Sequence, residues 1–137
     1  MKIFILEDEI DIYPRVQIRE VLKNHTLTIA KSCVEGQRKY VGPYDLLLLD
    51  HDMEGNYEYR PDYPNTGYQF VKWLCSQEAT AYALNEHNLT PKPQVMLHSH
   101  NPVGRKNMRD LLEAYGFSVD EHRFGPDYVK LLKEQLG

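Results

Sequence analysis

Five short apolar runs, most of them followed by acids or histidines, alternate with segments whose apolar residues recur at helical spacing. Residues 2–6 (KIFIL) are rich in strand formers and are closed off by Glu7, Asp8 and Glu9, which predicts a buried strand. From Asp11 to Lys23, Ile12, Val16, Val21 and Leu22 fit one helical face, with Pro14 suited to the first turn. Residues 27–31 form a weaker second strand, followed by a short helical segment over 34–40. The strongest strand is 45–50 (DLLLLD): four leucines without alternation predict a strand covered on both faces. A long loop covers 51–65. Thr66 then caps a helix carrying Tyr68, Val71, Trp73, Leu74 and Cys75, which extends into a stretch over 78–92 where no break is evident. A fourth strand over 94–98 leads to Asn101-Pro102, an N-cap followed by proline at the first helical position. That helix runs through Tyr115 to a Gly116 cap. A fifth strand over 117–120 and an amphipathic helix over 126–136 close the chain. Strands alternating with helices predict a doubly wound, five-stranded parallel α/β sheet, read as a single domain over 1–137.

Composition narrows the classes open to such a fold. The 137 residues carry a formal charge of −4, which argues against a grip on duplex DNA by blanket phosphate neutralisation. Cys33 and Cys75 show no metal-binding or redox spacing and read as reduced thiols in or near the core. The opening MKIFILEDE has neither the pattern of a signal peptide nor that of a membrane span, so the expected location is cytoplasmic.

In doubly wound sheets the functional crevice lies beyond the carboxyl ends of the strands. There the pattern delivers Glu7, Asp8 and Glu9 from strand one, Asp50, His51 and Asp52 from strand three, and His98, Ser99, His100 and Asn101 from strand four. Carboxylates gathered this closely raise one another's pKa unless a cation joins them. A hard divalent ion, Mg²⁺ or alternatively Mn²⁺, is the natural partner, and Glu7, Asp8 and Asp50, assisted by Asp52, are its expected ligands. Glu9 and Asp11 read as solvated acids at a helix start.

The acidic cluster after strand one and the Asp-Leu-Leu-Leu-Leu-Asp of strand three resemble a two-component receiver domain. That resemblance implies a flavodoxin-like fold, an acidic pair that binds Mg²⁺ at Glu7 and Asp8, and a phosphoacceptor at Asp50. The chain departs from the pattern where a switch needs other groups. His98 stands where Ser or Thr is required, with Ser99 one step late, and His122-Arg123-Phe124-Gly125-Pro126 lacks the lysine of strand five. The interval from Asp50 to Gly67 is also longer than in a usual receiver.

These departures form a pattern of their own. Leu49-Asp50-His51-Asp52, Thr66-Gly67-Tyr68, His98-Ser99-His100-Asn101-Pro102-Val103-Gly104 and Asn107-Met108 resemble the cyclic-phosphate processing receiver-like family. The resemblance implies action on a cyclic phosphate, such as the 2′,3′-cyclic phosphate of cleaved RNA or a cyclic nucleotide. Ring opening needs charge stabilisation, an activated water and an acid for the leaving oxygen. His98 and His51 are the expected proton carriers beside Asp50, since imidazoles serve that role near neutral pH. Ser99, Asn101, Gly104 and Arg105, at the start of the fourth helix, are the expected phosphate binders.

Other readings stay open on the residues alone. Tyr57, Tyr59 and Arg60 form either a lid that stacks on a base or a loop packed on its own domain. Arg105, Lys106 and Arg109 are either phosphate binders or a solvated helix face, and His100 is either functional or a hydrogen-bonded structural residue. As a whole, the chain is a metal-dependent phosphoesterase, a non-catalytic receiver-like module that engages a ligand or protein partner, or, third, a phosphoacceptor.

Overall fold

A computed structural model describes residues 1–53, 65–83 and 92–137. The elements in chain order are β1 (Lys2–Leu6), α1 (Val16–Val21), β2 (Thr26–Ala30), α2 (Cys33–Lys39), β3 (Leu46–Leu49), α3 (Gly67–Ala83), β4 (Gln94–Leu97), α4 (Pro102–Ala114), β5 (Val119–Glu121) and α5 (Pro126–Leu136). The strands form one parallel sheet in the order β2-β1-β3-β4-β5. This is the flavodoxin-like order, and its direction of winding reverses between β1 and β3.

Alternation along each strand divides the core into two layers. Phe4, Leu6, Leu47, Leu49, Val95 and Leu97 pack with residues of α2, α3 and α4 on one face. Ile3, Ile5, Leu46, Leu48 and Met96 pack with Ile18, Tyr128 and Leu132 of α1 and α5 on the other. The four leucines of β3 are therefore all buried, two to each face, as an unalternated apolar run requires. Both cysteines are buried and free. No helix among the described residues is long and apolar enough to cross a membrane.

The expected caps have the expected chemistry. Thr66 Oγ1 accepts from the Gln69 amide at 3.1 Å, and Asn101 Oδ1 accepts from the Gly104 amide at 2.9 Å ahead of Pro102. Gly116 turns the chain at φ 87°, in the left-handed region that suits glycine. Two boundaries differ from expectation. The first helix begins at Val16, not Asp11, because Pro14 disfavours helical geometry at Tyr13 before it, so residues 8–15 form turns. The fifth strand begins at Val119, because the Phe117 amide still bonds to Leu112 at the end of α4.

Gly67 ties α3 to the end of β3. Its amide bonds to the His51 carbonyl at 2.8 Å, and a Cβ built there would lie 1.9 Å from the Asp50 carbonyl oxygen and 2.9 Å from the His51 Cα. Both atoms are backbone, so relief requires moving the strand end itself. Gly67→Ala is expected to destabilise the protein by about 3 kcal/mol, at the upper end of overpacking costs. Chemical denaturation measures it, and a loss under about 1 kcal/mol would show that the strand end yields.

Candidate functional site

Strand register builds the site. Leu6 pairs with Leu49, and Leu49 with Leu97, so the next residues along, Glu7, Asp50 and His98, fall in one row across β1, β3 and β4. Backbone bonds carry the ladder into that row: the Asp50 amide reaches the Leu6 carbonyl at 3.0 Å and the His98 amide the Leu49 carbonyl at 3.2 Å. Alternation then sends all three side chains to the face covered by α1 and α5, continuing the series Ile3–Ile5, Leu46–Leu48 and Met96. One donor atom from each of the three lies within 4.8 Å of the others, and all three residues are buried.

A buried carboxylate must be paired. Glu7, with no exposed surface, receives His98 Nε2 at 3.0 Å on Oε1, and Arg15 Nη1 bonds to the same oxygen. Arg15 Nη1 also reaches Asp50 Oδ2 at 3.2 Å, and its guanidinium lies 4.3 Å from the centre of the Phe124 ring. Burial alone would push Glu7 up, but the His98 hydrogen bond and the His98 and Arg15 charges hold it below the usual carboxylate range. Asp50 and Asp8 go the other way. Burial, with the Glu7 charge, raises Asp50 to about 6 against the opposing pull of His98 and Arg15. Burial, a hydrogen bond with Glu7 and the charges of Glu7, Asp50 and Glu9 raise Asp8 to about 7.

A second imidazole–carboxylate pair stands beside this row. His51 Nδ1 and Asp52 Oδ1 are 2.8 Å apart, and Asn101 Nδ2 approaches Asp52 Oδ1 at 3.4 Å. The His51 amide bonds to Asp50 Oδ1 at 2.8 Å, which links the two groups. Gly104 is the wall behind the ring: a Cβ there would lie 2.5 Å from His51 Cγ. The N-terminal turn of α4 and the His51 imidazole are thus fitted to each other.

Several expected roles change with this geometry. Glu7 and Asp50 come together as anticipated, but their third neighbour is His98; Asp8 lies beside the group and Asp52 is engaged by His51 instead. Arg105 is engaged through Nη1, while its buried Nε has no hydrogen-bond partner among the described residues. The side chain donates to the Ser99 carbonyl at 2.6 Å and lies 3.6 Å from Glu121, so it braces the turn after β4. Ser99 Oγ is buried and accepts from the Asn101 amide at 3.0 Å within the same turn. Lys106 pairs with Asp110, and Arg109 with Glu113 and Glu121, as on a solvated helix face. His100 is exposed and accepts from Arg123 Nε at 3.2 Å. Tyr57, Tyr59 and Arg60 lie outside the described residues.

Arg15 is the member of this crevice that sequence reasoning missed. It reads as a polar position on a helix, whereas the proline before it delays the helix and leaves the side chain to turn into the crevice. The donor set suits a divalent cation, with two carboxylates and an imidazole in reach of one point and a third acid alongside. The guanidinium addresses the same two carboxylates.

A parallel sheet in this order, with an acidic crevice where β1 and β3 diverge, defines a receiver fold. Solved structures agree on the fold. The non-phosphorylated HemR receiver domain from Leptospira biflexa has a TM-score of 0.61 at 14% identity, covering 98% of this chain and 92% of that one. TrrA from Thermotoga maritima, in complex with Mg²⁺-BeF, has a TM-score of 0.58 at 19% identity, covering 99% and 98%. A CheY-like receiver domain from Methanospirillum hungatei JF-1 has a TM-score of 0.56 at 18% identity, covering 98% and 92%. Among curated proteins, none matches. The profile of the cyclic-phosphate processing receiver domain matches residues 2–114, and the chain belongs to that family.

The raised acids set a pH dependence. Asp8 and Asp50 hold protons in the folded state up to about 7 and about 6, against 3.8 for the free side chain, so folding binds protons between those limits. Stability therefore rises as pH falls from 8 towards 5 and is lower when both acids are ionised. Asp8→Asn removes the larger share. It is expected to stabilise the protein at pH 8 by about 1–2 kcal/mol after discounting for solvent screening, and by much less at pH 5. Thermal melts across that range test it; a variant as pH-sensitive as the wild type would contradict the assignment.

Proposed function

We propose that this chain processes cyclic phosphate ends, such as an RNA 2′,3′-cyclic phosphate or a cyclic nucleotide, by metal-dependent hydrolysis or ring opening. The observation that carries this reading is the buried row Glu7–Asp50–His98, in which an imidazole–carboxylate pair stands beside the aspartate that ends β3. A phosphoryl switch at Asp50 would need a hydroxyl and a lysine in this neighbourhood. The sequence supplies His98 at the first position, with Ser99 one step late, and has no lysine over 122–126.

Glu7 and Asp50, with Asp8 alongside, are the residues that would hold the ion, and TrrA's complex with Mg²⁺-BeF supports Mg²⁺ as the first candidate. When bound, a divalent ion polarises a phosphoryl oxygen and lowers the pKa of its water. The remaining work falls to protein groups. Opening a cyclic phosphodiester takes a proton from water and returns one to the leaving ribose oxygen. Two imidazoles, each oriented by a carboxylate, suit that exchange. Glu7 fixes the His98 ring through Nε2, which leaves Nδ1, buried and without a partner among the described residues, for the exchange. Asp52 fixes His51 through Nδ1 and leaves Nε2. The positive end of the α4 dipole, behind Asn101, favours the phosphate.

Room for the rest of the substrate lies nearby. A cavity of about 700 Å³, lined by Tyr13, Pro14, Phe124, Pro126 and Lys130 among others, adjoins the Phe124 ring beneath Arg15. A stacking contribution from Tyr57, Tyr59 and Arg60 belongs to the same proposal. A second reading, a non-catalytic module that binds a phosphate-bearing ligand or a protein partner, is favoured by Arg15, which already neutralises part of the acidic row. The readings differ in what Asp50→Asn and His98→Ala do. Under the first, each lowers kcat/KM for 2′,3′-cyclic nucleotides or cyclic-phosphate-ended RNA by about 100-fold or more, and chelation abolishes turnover. Chromatographic detection of the phosphomonoester product measures it. A wild-type protein that leaves all these substrates intact with Mg²⁺ and Mn²⁺, yet binds them, supports the second reading.

A further inference from the structure

The cation already present in the crevice has a consequence for metal binding. Arg15 Nη1 bonds to both Glu7 and Asp50, two of the three residues whose donor atoms converge on one point. Its side chain is only 11% exposed, and the Phe124 ring supports the guanidinium from below. A guanidinium keeps its charge at any ordinary pH, and it fits two carboxylates at once where an ammonium meets each as a point. A divalent ion on the same oxygens would stand within a few ångströms of that charge in a poorly screened interior, so both cannot occupy the seat.

Two further features bear on exchange. Two carboxylates, Glu7 and Asp50, share one guanidinium nitrogen, an arrangement for which a doubly charged ion is the better match. Arg15 is also carried by the turns before α1 rather than by a strand or helix, and Ile12 and Tyr13 beside it are 60% and 75% exposed.

We infer that Arg15 is a resident counter-cation that fills the seat between Glu7 and Asp50, and that a divalent ion binds there only by displacing it. The inference rests on the reading that this row takes a divalent ion, and it does not depend on turnover of any cyclic phosphate. Arg15 thereby sets the metal affinity of the crevice and keeps the metal-free protein paired.

Calorimetric titration of Mn²⁺ into the wild type, R15Q and R15K tests it. R15Q is expected to bind Mn²⁺ at least tenfold more tightly than the wild type, R15K to fall between them, and D50N in the R15Q background to cancel the gain. Equal or weaker binding by R15Q overturns the inference. Should R15Q be unfolded without metal, circular dichroism during the same titration decides: recovery of the fold with Mn²⁺ supports displacement, and failure to recover counts against it. Tight Mn²⁺ binding by R15Q without cyclic-phosphate turnover by the wild type would leave this inference standing and remove the proposed function alone.

Discussion

A carboxylate with no access to solvent, at the end of a central strand, is the constraint around which the rest of the crevice is arranged. Glu7 falls inside because strand alternation sends it to the face that α1 and α5 cover. An unpaired charge there would cost several kcal/mol, so partners must come from elsewhere in the chain. β4 provides His98 and the turn before α1 provides Arg15. Each partner in turn fixes something larger. His98 rests against Tyr128 of α5, with ring centres 5.6 Å apart, and Arg15 against Phe124. The packing of the α5 layer and the electrostatics of the crevice are thus one problem.

Much of this was open to reading in the chain. The unbroken Leu46–Leu49 run called for a two-sided core, and acids and histidines after three strands marked the carboxyl edge. Parity goes further than the grouping by strand ends. Counting alternate residues from Ile3, Leu46 and Met96 puts Glu7, Asp50 and His98 on one face, whereas Asp8 continues the opposite series of Phe4 and Leu6. That count separates His98 from Asp8 as the third member of the row. What could not be read is Arg15. Its approach depends on where α1 begins and on the path of the turns over residues 8–15, and neither has a periodic signature. The partners of Arg105 could not be read for a related reason: a cation one turn into a helix has several acceptors in reach, and the Ser99 carbonyl and Glu121 are among them.

The turn after β4 also illustrates how a motif can serve structure and chemistry together. Ser99 and Asn101 spend hydrogen bonds on the turn and the α4 cap, and Gly104 gives the His51 ring its place. A Ser-x-Asn-Pro-x-Gly sequence therefore positions an imidazole without itself having to touch a substrate. His51, held by Asp52 on one side and backed by Gly104 on the other, is pre-oriented at modest exposure, whereas His98 is sealed within the core. Two imidazoles with the same kind of carboxylate partner thus sit in very different dielectric surroundings.

The missing lysine of β5 and the presence of Arg15 are two halves of one rearrangement. Where a phosphoryl switch extends a cation from the end of the fifth strand, this chain has His122-Arg123-Phe124, with Arg123 exposed and turned to His100. The segment contributes the Phe124 ring instead, and that ring is the floor on which a guanidinium from the opposite side of the crevice lies. An ammonium is compact and strongly hydrated; a guanidinium is flat, weakly hydrated and able to stack, so the latter gains more from an aromatic floor. The positive charge has therefore moved from the edge of the site, where it would meet a phosphoryl group on Asp50, to a place between Asp50 and Glu7. An aspartate held in that way is the counter-ion of a guanidinium shared with Glu7.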